Sequence, residues 1–246
     1  MNKWLPGVAV PLLFLISSVL PPPLTGQPVA ADPGVKEALH LLDLWMDAQV
    51  AYGEIPGATA AVVHDQELVW AKGYGYANRE ERIPATPATI FSICSISKLF
   101  TSIGVMQQRD AGRLRLSDPV KDHLPWFEIQ EIHPEYGPAT IEGILTHSAG
   151  LPRESDHPYW SAPDFEFPTR EEIMDRVSHQ ETLYPTATHY QYSNLGLTLA
   201  GEVVAAVSGA PYDRYIRENI LDPLGMSRTT TEIPADLWGD EMAVGY

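Results

Sequence analysis

The chain has 246 residues, 44% of them hydrophobic and 20% charged, and carries a formal net charge of −16. That length and composition suit a globular protein with one large domain or two lobes. The acidic balance excludes a nucleic-acid-binding surface and repels anionic membranes, and a single cysteine, Cys94, excludes an intramolecular disulfide.

Lys3 is followed by an apolar run over residues 8–20 and a Pro-rich tail ending in Pro28-Val29-Ala30-Ala31. A basic start, an apolar middle and small residues at the end predict a secretory signal peptide over residues 1–31, and hence a periplasmic or extracellular protein. The run is shorter than the about 20 apolar residues of a membrane span and contains Pro11. Stable membrane insertion is therefore not expected.

Asp32-Pro33 reads as a helix N-cap followed by proline at the first helical position. Val35, Leu39, Leu42 and Met46 then recur at helical spacing over residues 35–50, with Gly53 and Pro56-Gly57 ending the helix. Residues 57–78 read as two strands around a turn at His64-Asp65-Gln66. In "FSICSISKLFTS" and the residues after it, Ile96, Leu99, Phe100 and Ile103 form an apolar helical stripe, and Gly112 suits a left-handed stop. Ser117-Asp118-Pro119 is a further helix start, Thr140 caps a short helix, and Thr169 with Glu172 makes a capping box for a helix to about His179. Asn194 opens an apolar helix that ends at Gly209, and "YDRYIRENIL" is amphipathic. A lone hairpin cannot bury a sheet face, so a helix, a hairpin and a long run of helices predict an α+β fold whose sheet is very small or incomplete before Tyr246.

Two short patterns can carry chemistry. Ser95 stands three residues before Lys98, a spacing that puts both side chains on one helical face. A serine hydroxyl is a weak nucleophile until a base takes its proton. A lysine acts as that base where burial or a positive helix end disfavours its ammonium form. By composition alone such a pair arises about once in a chain this long. Tyr192-Ser193-Asn194 precedes the apolar helix. Its tyrosine can relay a proton and its asparagine can hold a carbonyl, or Asn194 is simply an N-cap. Tyr76-Ala77-Asn78 repeats the spacing, so the pattern alone is weak.

In context, "IPGATAAVVHDQELVWAKGYGYANRE", "TIFSICSISKLFTS", "ILTHSAGLP" and "YQYSNLGLTLAGEVVAAVSGAPYDRYIRENILDPLGMSRT" resemble the serine beta-lactamase and penicillin-binding protein-like family. They are most similar to its class C beta-lactamases, D-alanyl-D-alanine carboxypeptidases and related esterases. The resemblance implies a beta-lactamase/transpeptidase-like antiparallel sheet flanked by helices, with a sheet lobe over 32–91 and a helical lobe over 92–226. It also implies an acyl-enzyme on Ser95, Lys98 as its base partner, Tyr192 as a second proton shuttle, and Asn194 orienting Lys98 and a substrate amide. No cofactor or metal is implied. The implied substrate is a small molecule or a peptidoglycan-type peptide bearing a lactam, D-alanyl amide or ester.

The chain departs from the family in one motif. After Asn194 there is no Lys-x-Gly or His-x-Gly, and the family's later strands are expected beyond Tyr246. A non-hydrolysing, penicillin-binding sensor domain, or an inactive fragment lacking the third motif, is the alternative reading. Cys94 is a smaller departure, since many relatives carry glycine or alanine before the serine; its thiol is a candidate reactive nucleophile, but it is expected to be a small buried residue. "THSAG" lacks the first glycine of a G-x-S-x-G elbow and follows a short helix, so it reads as a structural loop, with His147 at a helix C-terminus that favours positive charge. Tyr159, Trp160 and Tyr190 are candidates for a cleft wall or for core packing.

Overall fold

The computed structural model describes residues 29–155, 168–232 and 234–246. The signal segment before Val29, together with Tyr159 and Trp160, lies outside the described residues.

After one 3-10 turn at Val29–Ala31, helix α1 spans Pro33–Tyr52. Asp32 caps it as the sequence predicts, accepting from the N–H groups of Gly34 and Val35 at 2.8 and 3.1 Å. Val35, Leu39, Leu42 and Met46 are its half-buried stripe, while Leu41, Leu44 and Trp45 are exposed.

Strand β1 (Gly57–His64) pairs antiparallel with β2 (Glu67–Asn78), and β2 pairs with the short β3 (Ile83–Pro84). The β1–β2 link is the two residues Asp65 and Gln66, both at positive φ, which matches the right-handed twist of the strands it joins. Gly73 allows the next segment to lie against β2, because a Cβ there would stand 2.0 Å from the Ala85 carbonyl oxygen. The Asp43 carboxylate ties α1 to the sheet by accepting from the Lys72 ammonium and, at 2.9 Å, from the Tyr74 hydroxyl. Burial, and then this carboxylate, push the Tyr74 phenol up to about 12.

The main hydrophobic core lies among the helices. Helix α2 spans Ser97–Asp110 and buries Thr101, Gly104, Val105 and Gln108. The predicted stripe holds in part: Phe100 and Ile103 pack against the core, whereas Ile96 and Leu99 are 61% and 58% exposed. The reason is close approach. Gly104 has no side chain, and a Cβ added to it would meet Val204 at 3.2 Å, so α2 packs through its small face. Four further helices, α3 (Val120–His123), α4 (Ile141–Leu145), α5 (Arg170–Val177) and α6 (Asn194–Ser208), precede α7 (Tyr212–Ile216). Thr140 and the Thr169–Glu172 capping box start α4 and α5 as predicted, although α5 stops two residues earlier than expected. Helix α7 runs on into a π turn, Arg217–Leu221. Ile144, Leu199, Val203 and Ile216 lie at the centre of this core, each 1% exposed or less.

The last residues return to the sheet side. Ile90 N–H donates to Glu241 O, Ala243 N–H to Ile90 O, and Val244 N–H to Ala77 O, each at 2.9 Å. Among the described residues no single helix is long and apolar enough to cross a membrane.

Candidate active site

Ser95 lies on a single 3-10 turn, Cys94–Ile96, that leads directly into α2. Cys94 takes a positive φ of 45° there, and it is exposed rather than buried as the sequence reading expected. The turn continues into the helix, so Lys98 follows Ser95 by about one turn and its ammonium reaches the hydroxyl. Lys98 Nζ donates to Ser95 Oγ at 3.1 Å. Ser102, which continues the polar face in sequence, spends its hydroxyl on the Lys98 carbonyl at 2.8 Å.

Tyr192 arrives from the segment before α6 and donates its hydroxyl to Ser95 Oγ at 2.7 Å. Ser193, not Asn194, caps α6. Its hydroxyl accepts from Gly196 N–H at 2.9 Å and donates to Pro152 O at 2.7 Å. The N–H groups of Asn194 and Leu195 both donate to Arg153 O. Tyr192 is thus fixed one residue ahead of a doubly anchored helix start.

Asn194 lines the same cleft as Ser95 and Lys98, but its amide donates to Glu154 Oε1 at 2.6 Å. It forms no hydrogen bond with Lys98 in this structure. The look-alike Tyr76-Ala77-Asn78 is elsewhere: Asn78 is buried in the sheet region and donates to Gly239 O. Phe91, Ile93, Leu197 and Met226 supply apolar walls to the cleft.

Cations crowd the phenol. Lys98 Nζ lies 5.0 Å and Arg153 Cζ 5.1 Å from the Tyr192 ring centroid, within range of the ring quadrupole. Lys98 foremost, then the Ser95 hydroxyl and the more distant charge of Arg153, hold the Tyr192 hydroxyl below the usual phenol range. A tyrosine so placed reaches its phenolate more readily and can exchange a proton with the serine.

Sequence reasoning missed His147. Its ring lies 4.6 Å from that of Tyr192, centroid to centroid, and meets Tyr190 edge-on at 5.7 Å. Its Nδ1 accepts from Ser193 N–H at 3.1 Å. The expectation that a helix end would favour its cation is overturned, because burial, and then the charge of Lys98, push the imidazole below its ordinary value. The "THSAG" loop was visible as a loop, but nothing local in it signals a partner 46 residues away. Tyr190 is 72% exposed and meets His147 in a T-shaped contact.

Comparisons with known proteins agree on the architecture. Residues 42–239 match the Beta-lactamase family model. The chain is 30% identical over 236 residues to Beta-lactamase-like protein 2 of Dictyostelium discoideum, an alignment covering 94% of this chain and 43% of that protein. The octameric penicillin-binding protein homologue from Pyrococcus abyssi superimposes with a TM-score of 0.73 at 31% identity, covering 85% of this chain and 48% of that one. A beta-lactamase/D-alanine carboxypeptidase from Yersinia pestis gives a TM-score of 0.69 at 24% identity, covering 82% and 60%. The chain spans less than half the length of the curated relatives it matches, 43% of one and 37% of another. The fold is beta-lactamase/transpeptidase-like, with a small antiparallel sheet beside its helices. With the family model matched across most of its length, the chain belongs to the beta-lactamase family.

Proposed function

We propose that the protein carrying this chain is a serine acyl-enzyme hydrolase acting on a lactam, D-alanyl amide or ester, with Ser95 as nucleophile. The observation that carries the reading is the convergence on one oxygen: Ser95 Oγ accepts from Lys98 at 3.1 Å and from Tyr192 at 2.7 Å. Family membership supports a serine hydrolase in general terms.

In the proposed reaction Ser95 Oγ bonds to the substrate carbonyl carbon while its proton passes to Tyr192 as the phenolate or to Lys98 as the free amine, whichever has given up its own proton beforehand. The carbonyl oxygen becomes an oxyanion, for which the Ser95 N–H is a donor. Collapse breaks the carbonyl bond to nitrogen or oxygen, and the same proton is returned to the leaving group. Water then attacks the acyl-enzyme and releases the acid with free Ser95. Asn194, on the cleft wall, contacts the substrate amide. The sequence pattern of residues 1–31 supports export, so the substrate is met outside the cytoplasm.

The test uses the intact protein and Ser95→Ala, each treated with a fluorescent penicillin and a nitrophenyl ester, with intact mass recorded. Labelling or turnover confined to the parent protein is the expected result. Equal labelling or turnover by both proteins rules Ser95 out as the nucleophile. Acylation without release marks a penicillin-binding sensor instead of a hydrolase.

A further inference from the structure

His147 makes three contacts that converge on the backbone and ring of Tyr192. Its Nδ1 accepts from the N–H of Ser193, immediately after Tyr192, at 3.1 Å. Its carbonyl accepts from the N–H of Gln191, immediately before Tyr192, at 2.8 Å. Its ring is inclined 35° to the Tyr192 ring at 4.6 Å. One residue therefore grips the chain on both sides of the phenol and supports its face.

We propose that His147 is the positioning residue that holds Tyr192 over Ser95, and that it does so only as the neutral ring. An imidazolium has no free lone pair on either nitrogen, so protonation must break the bond from Ser193 N–H. It would also add a cation facing Lys98, which approaches from α2. The titratable groups packed around the imidazole are Lys98 from α2 and Tyr190 and Tyr192 from the segment before α6. Glu154, the carboxylate of this cluster, is engaged by Arg153 and Asn194. Burial first, and then the charge of Lys98, disfavour the imidazolium.

The backbone adds a constraint. His147 has a φ of 59°, a left-handed conformation for which asparagine is among the better-suited side chains. The neighbouring loop is equally committed: Gly150 has a φ of 72°, and a Cβ there would stand 2.0 Å from Tyr184 O. The loop thus presents His147 in a fixed pose.

The inference rests on Tyr192 being a proton-transfer group, and its test reads the positioning separately from activity. The protein is labelled with 15N-histidine and 13C-tyrosine, and His147 and Tyr192 are titrated from pH 8 to pH 4.5 beside His147→Asn and His147→Ala. In the parent protein His147 is expected as the Nε2–H tautomer, and Tyr192 is expected to shift with the His147 midpoint. His147→Asn keeps an acceptor and a compatible backbone. Its Tyr192 stays unmoved through that range, and Ser95 acylation loses its acid limb, with a neutral-pH rate above that of His147→Ala. His147→Ala acylates about tenfold slower or worse through misplacement of the phenol. A Tyr192 signal that ignores the His147 titration, or acylation of His147→Ala at the parent rate, overturns the proposal. Coupled titration in a protein whose Ser95 never acylates sustains the positioning and overturns the proposed nucleophile.

Discussion

The hydroxyl of Tyr192 sits 2.7 Å from Ser95 Oγ, a contact that spans 97 positions of sequence. Removing that hydroxyl while keeping the ring isolates what it does. Tyr192→Phe is expected to slow Ser95 acylation by about 10²–10⁴-fold, the usual loss for a general acid–base group. The ring contact with His147 should keep its thermal midpoint close to the parent value. Stopped-flow labelling with a fluorescent penicillin, alongside calorimetry, measures both.

Lys98 is the foremost cause of the lowered Tyr192 phenol. Lys98→Met is therefore expected to move the Tyr192 titration upward, toward the ordinary value of about 10. The sign follows from charge: losing a cation makes the phenolate harder to form. A 13C-tyrosine titration of the variant shows this, and an unchanged or lower midpoint contradicts it.

Ser193 is 3% exposed and connects Gly196 N–H to Pro152 O through one hydroxyl. Ser193→Ala removes the α6 cap and leaves the Pro152 carbonyl without that donor. A loss of about 1–2 kcal/mol in unfolding free energy is expected. Urea denaturation at neutral pH gives the number, and a loss below about 0.3 kcal/mol would contradict the cap's role.

Asp118 accepts from Arg115 N–H at 2.8 Å and faces His123 Nε2 at 3.0 Å. The Arg115 N–H first, and His123 second, hold its carboxyl below the usual carboxylate value. A depressed carboxyl contributes stability above its unfolded value of about 3.9, and that contribution is lost as pH falls through the folded value. Asp118→Asn should therefore be less stable than the parent at pH 6, with the gap closing below pH 4. Urea midpoints collected across that range decide it, and a gap independent of pH rules the carboxylate charge out.

What the sequence revealed divides along a physical line. Asp32, Thr140, Thr169 with Glu172, and the Asp65–Gln66 turn act within a few residues of themselves. Their local chemistry was sufficient to place them. The pairing of Ser95 with Lys98 was legible for the same reason, being one helical turn. The face that α2 buries was legible only in part. Hydrophobic periodicity pointed to Ile96, Leu99, Phe100 and Ile103; the last two pack against the core, whereas the close approach of α6 at Gly104 turned Ile96 and Leu99 outward. Periodicity counts apolar side chains and is blind to a partner helix that needs the absence of one. Ser193 rather than Asn194 as cap is a one-residue choice between two good cap residues, settled by the Pro152 carbonyl beside it. His147 was hidden because its ring and hydrogen-bond contacts reach residues 190–193, far along the chain.

The clasp of Ile90 between Glu241 and Ala243 has a consequence for synthesis. The peptide leading into Ser95 gets its backbone partners from residues about 150 positions later. A ribosome adding roughly 5–20 residues per second needs on the order of 8–30 s to make that stretch. Lys98 can meet Ser95 early, within a single turn, and Tyr192 joins about two-thirds of the way through the interval. The approach to the serine is secured after Tyr192 has joined, so a nascent chain carries its nucleophile well before the surrounding site takes shape.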